Sequence, residues 1–268
     1  MEASLDKVDQ KLPLGKPGKF TDKEQFIFDT AGFLVIPDAL SPEETESCVE
    51  AAKRVHAPYP KDEWRQLGNT FETEEAFENL IDHPSVFPKV RALLGDHFFL
   101  QSSWCTMVPT GYQGQRFHQD GSGSYEFRKL ATPTPLVQLR IGYVLTDLSQ
   151  EGRGNLVVIP GSHNGSVPLP KGLGPEEIPI SLSLCAKPGT AIMFHQGVYH
   201  CGGKNEMDFN RYIIHMVYAP PWLIRSDRKS NSPEFLARTS PLRRALMGEW
   251  ARPEDPFGGG LDPLPFED

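Results

Sequence analysis

Cysteine is scarce and scattered. Cys48, Cys105, Cys185 and Cys201 are the four in 268 residues, and none forms a CxxC pair. That spacing excludes a disulfide framework and a zinc-ribbon pattern, and it fits the reducing cytoplasm. Basic residues are in deficit, 27 Lys and Arg against 35 Asp and Glu, for a net charge of -8. A phosphate-binding face needs the opposite balance, so a nucleic-acid partner is not expected. No run approaches the roughly 18 apolar residues of a membrane span, and the opening MEASLDKVDQKL lacks the apolar core of a signal peptide. There is no internal repeat and no linker that divides the chain. What remains is one large domain, long enough to bury a core without cross-links and expected to be a monomer or homodimer.

Proline, by contrast, is plentiful: 25 residues, above the usual share of about 5%, which suits long ordered loops. Residues 1–19 are polar and read as a flexible lead-in; 20–250 form a single domain; 251–268 are too rich in Pro and Gly for regular structure. The segment FTDKEQFIFDTAGFLVIPDAL predicts a short helix, a turn at Gly32 and a strand over Phe33–Ile36. Ser41 followed by Pro42, Glu43 and Glu44 predicts a capped helix start, with Val49, Ala52 and Val55 at helical spacing. Helical patterns continue over Phe77–Leu80 and Val86–Leu94 and stop at Gly95; another helix is expected within 236–250. From residue 97 the texture turns strand-like, at 98–108, 136–146, 155–159, 190–199 and 211–218. Helices first and strands afterwards predict an α+β fold, or a β-barrel or sandwich with helices on one face.

The chemistry concentrates in two places. In QRFHQDGSG (115–123), His118 and Asp120 stand two residues apart, so an extended backbone turns both to one side, and Gly121 and Gly123 let the chain bend away. In 188–220, two strand-like stretches flank a Gly- and Asn-rich turn and are expected to pair antiparallel. His200 then ends the first and Arg211 starts the second, eleven residues later. Two imidazoles and one carboxylate leave coordination positions open, as non-haem iron(II) oxygenases require. A buried arginine beside them calls for an anion, and its planar fork matches a carboxylate.

The HQD triplet, GRGNLVVIPGSH at 152–163, PGTAIMF at 188–194, and His200 followed by Arg211 together resemble the phytanoyl-CoA dioxygenase-like family of Fe(II)/2-oxoglutarate oxygenases. The upstream FIFDTAGFLVIPDALSPEE resembles the family's opening helix and strand, so the similarity spans about 20–250. The resemblance implies a double-stranded β-helix (jelly-roll) core with helices packed on one face. It implies Fe(II) held by His118, Asp120 and His200, with 2-oxoglutarate and O2 as co-substrates and a small molecule hydroxylated. By the same resemblance Arg211 binds the distal carboxylate of 2-oxoglutarate, Gln115 contacts the co-substrate and Leu156 walls the pocket. One departure is Gly202, where relatives often carry a Ser or Thr that helps hold the carboxylate. Asp120 itself argues against halogenation, since related halogenases have Gly or Ala there.

Two rival readings stay open: a cupin-type metalloenzyme that uses no 2-oxoglutarate, and a non-catalytic binder of the same fold. Among other histidines, His195 competes weakly as a ligand, His215 shares a face with Arg211, His163 belongs to a structural turn, and His56, His83 and His97 read as surface or capping residues. Large aromatics are usually core; of Trp64, Trp104, Tyr125 and Trp222, Trp104 and Trp222 are expected to line a substrate cavity. Arg65 and Asn69 are further co-substrate candidates, and Arg225, Arg228 and Lys229 read as a solvated loop.

Overall fold

Local signals set the first third of the chain. Thr21 accepts from the N–H of Glu24 and so caps α1 (Asp22–Ala31). Ser41 does the same for α2 (Pro42–His56) through Glu44, in each case with the glutamate reaching back to the cap. Between them Gly32 turns the chain at φ 81° into β1 (Phe33–Ile36). Only glycine serves there: a Cβ would stand 2.2 Å from Val198 and 2.7 Å from His163. The computed structural model describes residues 12–121, 126–249 and 263–266. The first eleven residues, Gly123, Tyr125 and most of the tail lie outside the described residues.

The rest follows in order: β2 (Arg65–Gly68), α3 (Glu75–Glu78), α4 (Phe87–Leu94), β3 (Phe99–Val108), β4 (Leu139–Val144), β5 (Leu156–Val158), β6 (Leu182–Leu184), β7 (Ala191–His195), β8 (His200–Gly202), β9 (Arg211–Ala219), α5 (Pro233–Arg238) and α6 (Pro241–Leu246). A six-stranded sheet runs β1-β7-β4-β9-β3-β2, and a three-stranded sheet runs β6-β5-β8. Among the described residues, every strand pair within the two sheets is antiparallel. The architecture is the α+β jelly roll that the sequence predicts, with helices on one face.

Alternation along the strands divides two cores. Leu139, Ile141, Tyr143, Ile214, Met216 and Tyr218 face the helices and pack with Phe28, Phe77, Val90 and Leu246. The opposite face sends Phe33, Val35, Val144, Ile192, Phe194 and Ile213 against Leu156, Val158 and Leu184 of the small sheet. The space between the sheets is therefore walled by side chains from both.

The structure corrects the expected pairing of 190–199 with 211–218. β7 lies between β1 and β4, and β9 lies between β4 and β3. After His195 the chain turns, with the Val198 N–H on the His195 carbonyl, and crosses into the small sheet, where β8 pairs with β5. The predicted continuous strand is thus two strands in two sheets. Both runs are apolar because both are buried, and composition does not say against what.

The lead-in is held from residue 13 onward: Gly15 donates to Val35 O at 2.8 Å and Val35 donates to Pro13 O at 2.8 Å. Part of the tail is held as well, for Leu264 is buried and Phe266 stacks against Phe87 and Phe98. The expected last helix is two short ones, each capped by a serine, Ser232 and Ser240. His56 and His83 are buried rather than superficial: His56 lies against Tyr212, and His83 bonds Ser85 and Glu44. Arg228 is likewise no solvated residue, since its side chain is buried, pairs with Asp227 and lies over Phe71.

One ion pair is buried under α1 and α4. Lys89, with no exposed surface, donates to Glu24 at 2.9 Å and to the Lys19 carbonyl at 2.8 Å. Burial alone raises the Glu24 carboxyl, but the N–H groups of Lys16 and Thr21 and the Lys89 ammonium outweigh it and hold it below the ordinary 4.5. Lys89→Met strands that carboxylate and is expected to lower the unfolding free energy by about 3–5 kcal/mol in urea titrations at pH 7. Because the shift is downward, the contribution is complete above 4.5 and fades as pH falls through the lower folded value. The gap between wild type and variant should therefore narrow in acid; a gap under about 1 kcal/mol at neutral pH would show the pair to be dispensable.

Candidate metal and co-substrate site

The segment ahead of Asp120 adds a short ribbon to the free edge of β8. Gln115 N–H donates to Gly202 O at 2.8 Å, and His118 and His200 exchange backbone bonds at 3.0 and 2.9 Å. This pairing sets the two imidazoles side by side, with ring centroids 4.5 Å apart. Asp120 N–H donates to Gln196 O, which returns its carboxylate to the same side as His118. One ligand atom from each of His118, Asp120 and His200 then lies within 4.8 Å of the others. The three residues singled out in the sequence do meet.

Their hydrogen bonds suit a cation. His118 Nδ1 faces Arg116 O at 3.2 Å and His200 Nδ1 faces Val198 O at 2.9 Å. A carbonyl accepts only, so each Nδ1 carries a proton and each Nε2 is the nitrogen left to face the cluster. Burial, reinforced by His118 and Arg140 and opposed by Asp120, pushes the His200 imidazole down to about 4, so it is neutral at pH 7. Asp120 Oδ1 lies 3.8 Å from His200 Nε2, and Asp120 Oδ2 is buried with no partner among the described residues. An acceptor left over between two lone pairs is a donor set that lacks its positive charge.

Arg211 opens β9 with its side chain turned between the sheets and only 5% of the residue exposed. Burial lowers the guanidinium to about 10, which leaves it charged at neutral pH. No carboxylate among the described residues pairs with it, and its Nε has no partner. Gly154 at φ +74° lies against its stem, where a Cβ would come within 3.4 Å of Arg211 Cγ. Period-two alternation puts His215 on the same face, opposite Trp104 and Gly142. Burial, with Arg140 and Arg211 nearby, drives His215 far below its usual range, so it is neutral. Gly142 makes room for it: a Cβ there would meet the His215 ring at 3.1 Å.

The other candidates fall into place around this centre. Leu156 points inward from β5, opposite Gly202, and is buried beside Ile213. Gln115 lies at the rim with its Oε1 accepting from Gly202 N–H at 3.1 Å. Trp104 shares the inward face with His215. Trp222 does not reach the cavity: the chain leaves β9 at Ala219 and turns over Pro220–Leu223, leaving this residue 66% exposed. Arg65 pairs with Glu63 and lies over Tyr59 instead of facing the interior, and Asn69 begins a short 3-10 turn at φ 58°. His195 is turned away from the ligands; its ring stacks on His163 at 4.8 Å and its Nδ1 accepts from Gly197 N–H. His163 in turn bonds Asp29 O, and Ser162 bonds Tyr199 N–H, so the PGSH turn holds the chain just before His200.

Sequence reasoning passed over Arg140. Its Nη2 donates to Asp120 Oδ1 at 2.8 Å. The signal was available: in LRIGYV, Leu139, Ile141 and Tyr143 face the helices, so Arg140 is a lone charge on the inward face of an apolar strand. A cavity of about 360 Å3 opens beside His118 and Asp120, lined by Phe117, Phe127, Leu169 and Tyr199 with Lys171 at its edge. A larger hollow, about 1480 Å3, lies by α2 between Val49, Met107 and Tyr212 and touches none of the three ligands, so size does not mark the chemistry here.

Residues 28–212 match the model of the family described as phytanoyl-CoA dioxygenase (PhyH). A protein named dioxygenase trt7, from Aspergillus terreus, is 26% identical over 231 residues, covering 82% of this chain and 78% of its own. Among solved structures, HygX from Streptomyces hygroscopicus with nickel and 2-oxoglutarate bound superposes with a TM-score of 0.67 at 17% identity, over 82% of this chain and 95% of that one. EctD from S. alaskensis gives 0.62 at 22% identity over 76% and 78%. SnoN, a non-haem α-ketoglutarate-dependent epimerase from nogalamycin biosynthesis, gives 0.59 at 19% over 73% and 79%. At these identities the structures establish a shared fold.

Proposed function

We propose, from the premise that this chain belongs to the phytanoyl-CoA dioxygenase family, that His118, Asp120 and His200 hold iron(II) and Arg211 grips the far carboxylate of 2-oxoglutarate. The enzyme is a non-haem iron dioxygenase that uses 2-oxoglutarate and O2 and acts on a small molecule. The observation that supports the residue roles is the pairing of a three-ligand cluster whose Asp120 Oδ2 has no partner with a buried arginine that no described carboxylate meets, both turned to one interior.

Iron bound there supplies the activation of O2, coupled to conversion of 2-oxoglutarate into succinate and CO2, that oxidises a C–H bond. The chain's part is binding and placement. His118 and His200 turn Nε2 to the metal because backbone carbonyls take the Nδ1 protons. Asp120 adds the single negative charge, and Arg211 supplies a rigid fork for a carboxylate. Leu156 and Ile213 wall the co-substrate side, Trp104 lines the same face, and Gln115 braces the Gly202 backbone beside His200. Packing between the sheets excludes water and so strengthens each of these contacts. Hydroxylation is the outcome we favour, since Asp120 fills the coordination position that a halide needs. None of the four cysteines is in a disulfide, in keeping with a cytoplasmic setting, and no described helix is long and apolar enough to cross a membrane.

The test is succinate. Purified protein with Fe(II), ascorbate and 2-oxoglutarate is expected to release succinate, slowly alone and faster with an accepted substrate from a panel. O2 uptake that is iron-dependent but indifferent to 2-oxoglutarate would instead favour a cupin-type enzyme, which has no use for Arg211.

A further inference from the structure

We infer that the substrate is a carboxylic acid and that Arg140 receives its carboxylate; the inference deepens the function proposed above and rests on it. Charge is the first argument. In a loaded site, one aspartate, the Arg211 guanidinium, a divalent metal and the dianion of 2-oxoglutarate cancel, and the imidazoles are neutral. Arg140 is therefore one positive charge in excess, in an interior where uncompensated charge is strongly unfavourable. A neutral substrate leaves it so, whereas a monocarboxylate closes the balance.

Geometry is the second argument. Arg140 projects inward from β4 between Phe194 and Val217, with its guanidinium carbon 5.8 Å from the Phe194 ring centre. Of its five N–H donors one is matched, Nη2 to Asp120 Oδ1 at 2.8 Å. Its Nε is buried without a partner, and no second acceptor among the described residues meets the group. Yet the side chain is 18% exposed, so a ligand can reach it. No neighbouring acid serves: Glu126, at the edge of the cavity beside Asp120, is bonded to Arg128 and Lys129. Lys171 at the same edge has the same sign as Arg140. The whole chain carries -8, so a local surplus of cations beside the metal ligands runs against the background. A planar fork with free donors matches a carboxylate, which takes two parallel bonds.

The experiment loads the full-length protein with Ni(II) and saturating 2-oxoglutarate and measures both by calorimetry first. Monocarboxylates from butanoate to decanoate and from benzoate to phenylbutanoate are then titrated, each beside its own primary amide. Wild type is expected to bind the acids about ten-fold or more tighter than the amides, the size of a charge-assisted bond. Arg140→Gln should bring the ratio near one, and Arg140→Lys, which keeps the charge, should retain part of it. Each variant is its own reference, so a general loosening of the site leaves the ratio unmoved. Equal binding of acid and amide by wild type overturns the inference while leaving the proposed function intact. So does a ratio unchanged in Arg140→Gln with 2-oxoglutarate binding weakened, which makes Arg140 a co-substrate contact. Failure of wild type to bind Ni(II) or 2-oxoglutarate overturns both.

Discussion

His118→Ala and Asp120→Asn are each expected to lower iron-dependent turnover by more than about 100-fold, since even groups that merely support a ligand are worth 10–100-fold. The two variants fail for different reasons. His118→Ala removes a neutral lone pair and leaves a two-ligand site, whereas Asp120→Asn keeps shape but removes the charge that opposes a divalent cation. Both should remain folded. His118 sits on a ribbon at the sheet edge, partly exposed, and contributes little to either core. Asn at position 120 still accepts from Arg140, so the guanidinium is not stranded. Circular dichroism and urea midpoints near wild type, together with loss of Ni(II) binding by calorimetry, are the expected pattern. Wild-type activity in either variant would sink the metal assignment.

Arg211→Met should move function and stability in opposite directions. With co-substrate, losing the fork is expected to raise the KM for 2-oxoglutarate by roughly 100-fold, in line with about 2–5 kcal/mol for a buried hydrogen-bonded charge pair broken on one side. Without co-substrate, the wild-type protein carries a guanidinium on a residue that is 5% exposed and has no acid partner among the described residues. Replacing it with an apolar chain of similar length removes that penalty, so the free variant should be more stable than wild type by about 1 kcal/mol or more in urea. Adding 2-oxoglutarate with Ni(II) should stabilise wild type by mass action and leave Arg211→Met nearly unchanged. A variant that is less stable when free would mean that Arg211 has a structural partner, and the co-substrate role would lose its main support.

Much of this was legible in the residues. Helix starts at Thr21 and Ser41 were readable because a cap is a contact three residues long. The strand over Phe33–Ile36 and the strand opening at Arg211 were readable from apolar runs bounded by turns. That His118 and Asp120 share a side was readable from a two-residue spacing on extended backbone, whereas the ligand set with His200 came with the family resemblance. Misreadings came where identity depends on a partner far away. The run up to His200 looked like one strand because almost all its members are buried, but the strand ends at His195 and His200 belongs to the other sheet. His56, His83 and Arg228 looked exposed because polar residues usually are, and each is paired or stacked inside. Trp222 looked like a cavity wall because it follows a strand, yet one turn of chain is enough to carry it outside.

By itself the sequence determined which chemistry was available: two imidazoles, one carboxylate and an arginine, with caps and alternation that fix how each local piece is built. The tertiary structure decided that these groups face one interior, because strands from two sheets must close on each other to bury their apolar faces. It also decided that Arg140 stands beside Asp120. That neighbourhood arises from a register between β4 and β9 and a crossing at 196–199, and long-range register is set by packing across the whole barrel rather than by any short stretch of residues.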